Sequence, residues 1–284
     1  MTGGPTVGAV IIGRNEGDRL VRCLVSITKQ ADRVVYVDSG STDGSQQAAK
    51  AAGAMCIELE QSQPFTAARA RNAGFDMLQK DPEPVQFVQF IDGDCELQPG
   101  WIEAALSFLK ETPTAAVACG RRRERFPEAS VYNRLIDQEW DTPVGQTRSC
   151  GGDALMRGTA VSAVGGFDSA LIAGEEPELC VRLRAAGWSI WRLDEEMTLH
   201  DAALTRFGQW WNRNRRAGHA YAEGAAMHGT PPERHCVRET RSALAWGAFL
   251  PLLVVMGTLV TFWSLALLLV WPAQVLRLVA REEG

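Results

Sequence analysis

The 284-residue sequence has no Cys-x-x-Cys pair, no Gly-x-Gly-x-x-Gly after its first apolar run and no Gly-x-x-x-x-Gly-Lys-Ser/Thr anywhere. The first absence removes zinc knuckles and thioredoxin-like redox motifs. The other two take away the main support for a dinucleotide-binding or P-loop reading. Cys23, Cys56, Cys95, Cys119, Cys150, Cys180 and Cys236 are scattered and odd in number, which suits a reducing compartment. An excess of positive charge is also missing. The formal net charge is -5 and the pI near 5.5, so nucleic acid is not an expected partner. The first residues are polar and Gly-rich, without the basic-then-apolar order of a signal peptide, so secretion is not expected.

Apolar residues make up 46% of the chain, enough for one large α/β domain and an appendage. The first half alternates. Residues 7–12, 33–37, 54–59 and 85–91 read as buried strands, and residues 18–30, 45–52, 65–78 and 101–110 carry helical spacing. Strands separated by helices of this length predict parallel β-α-β units with right-handed crossovers. Beyond residue 115 the pattern is less regular. Strands are expected at 115–119, 154–157 and 189–193, and a helix at 177–186.

In a parallel sheet of this kind the ligand lies beyond the carboxyl ends of the strands. Three polar clusters fall there: Gly13-Arg14-Asn15-Glu16, Asp38-Ser39-Gly40 and Asp92-Gly93-Asp94. Two carboxylates one residue apart after a buried strand suit a hard divalent cation such as Mg2+ or Mn2+, which would neutralise a diphosphate leaving group. An acidic turn alone would look the same. Asp38 is placed to accept hydrogen bonds from a nucleobase or ribose, and Ser, Thr and Asp in its loop also serve as helix caps.

The ordered set of motifs is more specific than any one of them. After Val10 to Glu16 come Val37 to Gly44, Ala70-Arg71-Asn72-Ala73-Gly74 and Ile91 to Asp94. Gly165-Gly166-Phe167-Asp168, Gly174 to Leu179 and Arg182 to Trp188 follow. Together they resemble the family-two inverting glycosyltransferases of GT-A fold. The resemblance covers about residues 7–220. It implies an α/β nucleotide-binding domain with a mostly parallel central sheet, and a nucleoside diphosphate sugar as donor. In that likeness Asp38 and Arg71 contact the nucleobase, with Asn15 and Glu16 in the same nucleotide-binding set. Asp92 sits near ribose and diphosphate, Asp94 is the main metal ligand, and His200 falls where some members supply another. Glu176, beside Glu175, occupies the position of the catalytic base. Trp210, Trp211 and Arg215 fall on the acceptor-side helix.

The chain departs from the family twice. Glu175-Glu176 replaces the usual Glu-Asp, and Ile12-Gly13 replaces Pro-Thr or similar. Independently of the likeness, adjacent carboxylates at Glu175 and Glu176 suit either an acid–base group of raised pKa or the favoured acidic start of a helix.

Residues 243–270 contain no charged side chain, and Arg residues flank them on both sides. About 20 residues cross a bilayer, so the chain is expected to comprise a catalytic domain at 5–230 and a membrane-associated segment at 231–284. Arg on both flanks favours a hairpin entered from the cytoplasmic face; one tilted span fits nearly as well. The expected activity is sugar transfer to a hydroxyl of a lipid-linked or cell-envelope acceptor. A nucleotidyltransferase and a non-catalytic membrane adaptor are the alternatives.

Overall fold

The computed structural model describes residues 6–282. Four strands, β1 (Val7–Gly13), β2 (Arg33–Asp38), β3 (Met55–Glu58) and β4 (Phe87–Asp92), pair in the order β3-β2-β1-β4, all parallel. They are connected by α1 (Asp18–Ile27), α2 (Ser45–Ala51) and α3 (Ala67–Gln79). The central strands β1, β2 and β4 are buried on both faces, hence their continuous Val, Ile and Phe content rather than alternation. In α1 the apolar spacing puts Leu20, Cys23, Leu24 and Ile27 on one buried face.

The register aligns the carboxyl ends: Gly13 pairs with Asp38, and Ile12 with Asp92. Three polar clusters far apart in sequence therefore meet at one edge of the sheet. Asn15, with φ 57, accepts from the Thr42 amide at 2.7 Å, and its own amide donates to Ser41 Oγ at 2.9 Å. This ties the loop after β1 to the loop after β2.

The second half is mixed. After β5 (Cys95–Leu97) and α4 (Trp101–Glu111) come β6 (Ala115–Glu124), α5 (Val131–Glu139), β7 (Gly145–Thr147), β8 (Ala154–Arg157), α6 (Gly158–Ala163), α7 (Glu175–Ala185) and β9 (Ser189–His200). The sheet continues β4-β8-β6-β9-β5, with β7 also on β9. Here β8 runs antiparallel to β4 and β6, and β5 antiparallel to β9. Two strands extend past their expected ends. β6 carries on through Arg121, Arg122 and Arg123, and β9 through Glu195 and Glu196 to His200. Charge hid both extensions, because their side chains pair with one another, as Arg123 does with Glu196 at 2.6 Å, instead of alternating with apolar residues.

The chain divides into two compact units, residues 1–220 and 221–284, with the division inside α8 (Phe207–His228). In the second unit one helix among the described residues, the 22-residue Val237–Thr258, is long and apolar enough to cross a membrane, with mean hydropathy 1.4 over an 18-residue stretch of it. Pro251 does not end it; the turn before it, Ala245–Phe249, widens to π-helical geometry. The chain leaves helical geometry at Thr261, and Phe262–Arg277 forms a shorter apolar helix.

Gly74 sets how closely α3 approaches the sheet. A Cβ there would lie 2.4 Å from Val10 Cγ1 and 3.0 Å from Val37 Cγ2. Overpacking of this kind costs about 1–3 kcal/mol, against a helix-propensity gain of about 1 kcal/mol for Gly→Ala. Gly74→Ala is therefore expected to lower the melting temperature of the purified protein. An unchanged or raised value would show that α3 can shift away at no cost.

Candidate active site

The site begins with Asp92, the last residue of β4. Its backbone N–H donates to Asp153 Oδ1 at 3.1 Å, and its carboxylate lies between two guanidinium groups. Arg71 Nη2 is 2.8 Å from Oδ1, and Arg122 Nη2 is 3.1 Å from Oδ2. Arg71 projects from α3 and is only 2% exposed. It also reaches Glu175 Oε1 at 2.7 Å and Glu176 Oε1 at 2.8 Å, both in the first turn of α7. One buried cation thus holds three carboxylates from two elements. Its pKa rises, because the charges of Glu176, Asp92 and Glu175 outweigh the opposing effect of burial.

Glu176 takes the opposite shift from an ordinary carboxylate pair. Burial pushes it up most, Arg71 pulls it down, and the neighbouring charges of Glu175 and Asp92 raise it again, leaving it at about 7. Gly174, with φ 82, turns the chain into α7 so that both acids start the helix. An acidic first turn is also what the helix dipole favours. Proximity to Arg71 adds what the dipole alone does not explain: a largely covered carboxylate that changes charge near neutral pH.

A second cluster lies around Asp94. His200 Nε2 is 3.2 Å from Asp94 Oδ2. Burial would raise the Asp94 pKa, but the hydrogen bond from His200 and the charges of His200, Arg122 and Arg19 hold it at about 2. Burial and Arg122 press His200 toward neutrality, and the carboxylates of Asp94 and Glu124 outweigh them and raise its pKa. Its Nδ1 is 3.7 Å from Glu124 Oε2 and has no hydrogen-bond partner. Glu16 lies close enough for the Asp94 charge, after burial, to raise its own pKa. The Asp94 oxygen, the His200 nitrogen and the Cys95 sulfur fall within 4.8 Å of one another, a donor set that fits a divalent cation.

The sequence-derived residues divide among these roles. Asp92, Asp94, Arg71, Glu175, Glu176 and His200 converge. Glu16 borders the Asp94 cluster, whereas Asn15 braces two loops from their exposed side. Asp38 is fully buried and saturated within its own loop. It accepts from Tyr36 Oη, from the amides of Gly40 and Ser41, and from Gln46 Nε2, which hold its pKa down against burial. In this structure Arg71 too is spent on carboxylates.

A 460 Å3 cleft opens beside His200, between Trp140, Ala173 and one face of α8. The α8 residues lining it are Gln209, Asn212, Arg213, Arg216 and Ala217; Trp210, Trp211 and Arg215 do not. Trp210 packs instead on Tyr132 and Phe207, with Trp211 also beside Phe207.

Sequence reasoning missed Arg122, Asp153, Trp140 and Gly152. Asp153 is buried and, besides the Asp92 amide, accepts from Thr198 Oγ1 at 2.8 Å and pairs with Arg122 Nε at 3.3 Å. Arg122 lies over Trp140 at 5.0 Å, and Trp140 meets the His200 ring edge-on at 4.8 Å. A Cβ on Gly152 would lie 2.7 Å from Asp92 Oδ2 and 2.8 Å from Arg71 Nη2, so only glycine lets this loop approach. The available signal was Gly151-Gly152-Asp153 directly before the buried strand β8.

The family model for glycosyl transferase family 2 matches residues 9–157, which run from within β1 to the end of β8 and include Arg71, Asp92 and Asp94. The chain belongs to glycosyl transferase family 2. It is similar to the glycosyltransferase AglE of Haloferax volcanii, 26% identical over 230 residues, 75% of this chain and 72% of that protein. It is similar also to a pre-mycofactocin glycosyltransferase of Mycobacterium tuberculosis, 28% identical over 78% of this chain but only 48% of that protein. Among solved structures a mannosyltransferase from Pyrobaculum calidifontis, in complex with GDP-Man and Mn2+, has the same fold. Its TM-score is 0.66 at 19% identity, covering 97% of this chain and 81% of that one. The fold is GT-A-like, and membership in the family places the chain among enzymes that transfer glycosyl rather than nucleotidyl groups.

The Arg71 cage makes a prediction about stability. Replacing Arg71 with Leu leaves buried carboxylates without their shared cation, a loss of about 3–5 kcal/mol for breaking a buried pair. Without Arg71 the carboxylates bind protons more readily folded than unfolded, so stability falls as pH rises. The deficit in chemical denaturation should therefore be larger at pH 8 than at pH 5. An equal deficit at both would show that Arg71 acts through packing alone.

Proposed function

We propose that this chain is an inverting glycosyltransferase that moves a sugar from a nucleoside diphosphate donor to a hydroxyl on a lipid-linked or cell-envelope acceptor. The observation that carries the reading is Glu176, a carboxylate only 13% exposed beside Arg71, with its pKa at about 7. A general base works best when its pKa lies near the operating pH. Glu176 takes the proton from the acceptor hydroxyl as that oxygen bonds to the anomeric carbon. The carbon–oxygen bond to the diphosphate breaks on the opposite face, which inverts the configuration. Arg71 engages Glu176 Oε1 and so fixes the direction in which the carboxylate faces.

Asp94 and His200 would hold a divalent ion, Mg2+ or Mn2+, and that ion would neutralise the diphosphate as it leaves. Their donor set, with His200 Nε2 facing the Asp94 carboxylate, fits that role. The solved relatives bound to GDP-Man with Mn2+, and to UDP with Mn2+, support the same choice of donor class and metal. Asp92, Asp38, Glu16 and the loops braced by Asn15 frame the nucleotide. The cleft lined by Trp140 and α8 receives the acceptor, with Trp210, Trp211 and Arg215 on the same helix outside its lining.

The catalytic domain covers about residues 5–230. Residues 231–284 attach it to the cytoplasmic face of the cell membrane. Val260 and Trp263 are 87% and 86% exposed, and an apolar surface of this kind is stable only when covered.

Two measurements test this reading. Glu176→Gln keeps the volume and cannot take a proton, so kcat should fall ~10²-fold or more with donor affinity nearly unchanged. In the wild type, kcat/KM should rise with pH and level off above about 7, since protonated Glu176 is inactive. Turnover unchanged in the variant, or a flat profile through neutral pH, removes Glu176 from the mechanism. For the membrane, the full chain should remain with vesicles in about 1 M salt, which screens charge but not apolar burial. Release by salt alone would overturn the apolar attachment.

A further inference from the structure

Cys95 follows Asp94 directly and starts β5, which pairs antiparallel with β9. The register sets Cys95 opposite His200, so the two side chains rise from the same face of the sheet. The thiol is buried, and its sulfur accepts from Arg122 Nη2 at 3.1 Å and lies 3.7 Å from Asp94 Oδ1. Two separate sets of possible ligands share this one sulfur: Asp94, Cys95 and His200, and Asp92, Cys95 and Asp153, each with its ligand atoms within 4.8 Å. Within the second set Arg122 already pairs with Asp92 and Asp153 and occupies their oxygens. In the first set Arg122 touches the sulfur, while the Asp94 carboxylate and His200 Nε2 face each other directly at 3.2 Å.

Oxygen ligands suit Mg2+ and Mn2+ and imidazole already leans toward Zn2+; a thiolate adds a further preference for softer ions. Three protein ligands with one open position is also the ligand count of a catalytic zinc site. We propose that Cys95 supplies a third, sulfur ligand to the Asp94–His200 centre, making it a site that takes thiophilic divalent ions, Zn2+ or Cd2+, in preference to Mn2+. On binding, the Cys95 S–H proton passes to solvent and a sulfur electron pair forms the bond to the ion. No electron is transferred. Arg122 then donates its hydrogen bond to a thiolate instead of a thiol, a charge-assisted contact. Mn2+ engages Asp94 and His200 and leaves the thiol protonated. The inference rests on the metal centre proposed above, and it concerns which ion that centre selects.

Full-length protein, purified in detergent and stripped with a chelator, provides the test. Cd2+ is titrated against the near-ultraviolet sulfur-to-cadmium charge-transfer absorption, and Mn2+ binding is followed by loss of the free-ion paramagnetic resonance signal. The wild type should give absorption for one thiolate per chain, reversed by Zn2+, and Zn2+ should displace Mn2+. Cys95→Ser should lose the absorption and bind Zn2+ about 10²-fold more weakly, the upper end of what even an outer partner of a ligand contributes. Its Mn2+ affinity should stay within about threefold. His200→Ala should lose the same absorption, because imidazole and thiolate share the ion; this variant guards against misfolding of Cys95→Ser. Cys119→Ser, which removes a buried thiol outside both sets, should keep it. Mn2+ binding without any sulfur absorption in the wild type, or absorption that persists in Cys95→Ser, would overturn the inference and leave the metal centre standing. Failure of the wild type to bind Mn2+ would overturn the metal centre itself.

Discussion

Arg71 is the charge on which the site is balanced. It is buried on α3, and it holds together the end of β4 and the start of α7, elements separated by about eighty residues of chain. Taking a guanidinium out of water costs several kcal/mol, and only well-placed partners offset that cost. Here three carboxylates do so at 2.7–2.8 Å. The same contact works in the other direction. Glu175 and Glu176 are adjacent, and Asp92 is nearby; without a common cation their mutual repulsion would push α7 away from β4. The position of the proposed base is therefore fixed by electrostatics as much as by packing.

The sheet supplies the frame for this arrangement by changing character at β4. On one side the strands are parallel and end together, which brings Asp38 and Asp92 to one edge. On the other side β8 runs back along β4, and the loop before it delivers Gly152 and Asp153 to the Asp92 carboxylate and amide. The antiparallel pair β5–β9 then returns the chain to set His200 against Asp94. Each half contributes residues that the other could not place, since a parallel sheet alone offers only the ends of its own strands.

How much of this was readable in the sequence follows from the kind of signal each part left. Strands β1 to β4 and their helices were legible because burial on both faces leaves apolar runs and the helices keep a 3.6-residue period. Asp92, Asp94 and the Glu175-Glu176 pair were legible as acids at element ends. Arg122 and Asp153 were not. They lie inside, or just before, strands whose polar residues pair with each other, as Arg122 does with Asp92 and Asp153, so no hydrophobic alternation marked them. Asp38 shows a different limit. Its place after β2 was clear, but its saturation by Tyr36, Gly40, Ser41 and Gln46 depends on the path of the loop, which residue order does not specify. On α8 the helix was recognised, and its face was not. Residues 209, 212, 213, 216 and 217 lie three or four apart and line the cleft, whereas the conspicuous Trp210 and Trp211 occupy the neighbouring stripe.

The two clusters share Asp92 and Arg122 as neighbours, yet they drive their carboxylates apart. Asp94 sits beside His200 and two guanidinium groups and is held at about 2, so it stays charged at any physiological pH. Glu176 is largely covered, lies among other acids with one cation to share, and rests at about 7. Separation of this kind assigns roles by environment: a permanently ionised carboxylate suits an ion ligand, and one that titrates near neutrality suits proton transfer. Neither role follows from residue type, since both groups are ordinary carboxylates about eighty residues apart. What distinguishes them is how the cations are apportioned. Arg122 is committed to the β4–β8 side, close to Asp94, while Arg71 is divided among Asp92, Glu175 and Glu176 and neutralises none of them fully. A single guanidinium spread over three acids leaves one of them able to accept a proton, and α7 presents Glu176 in that position.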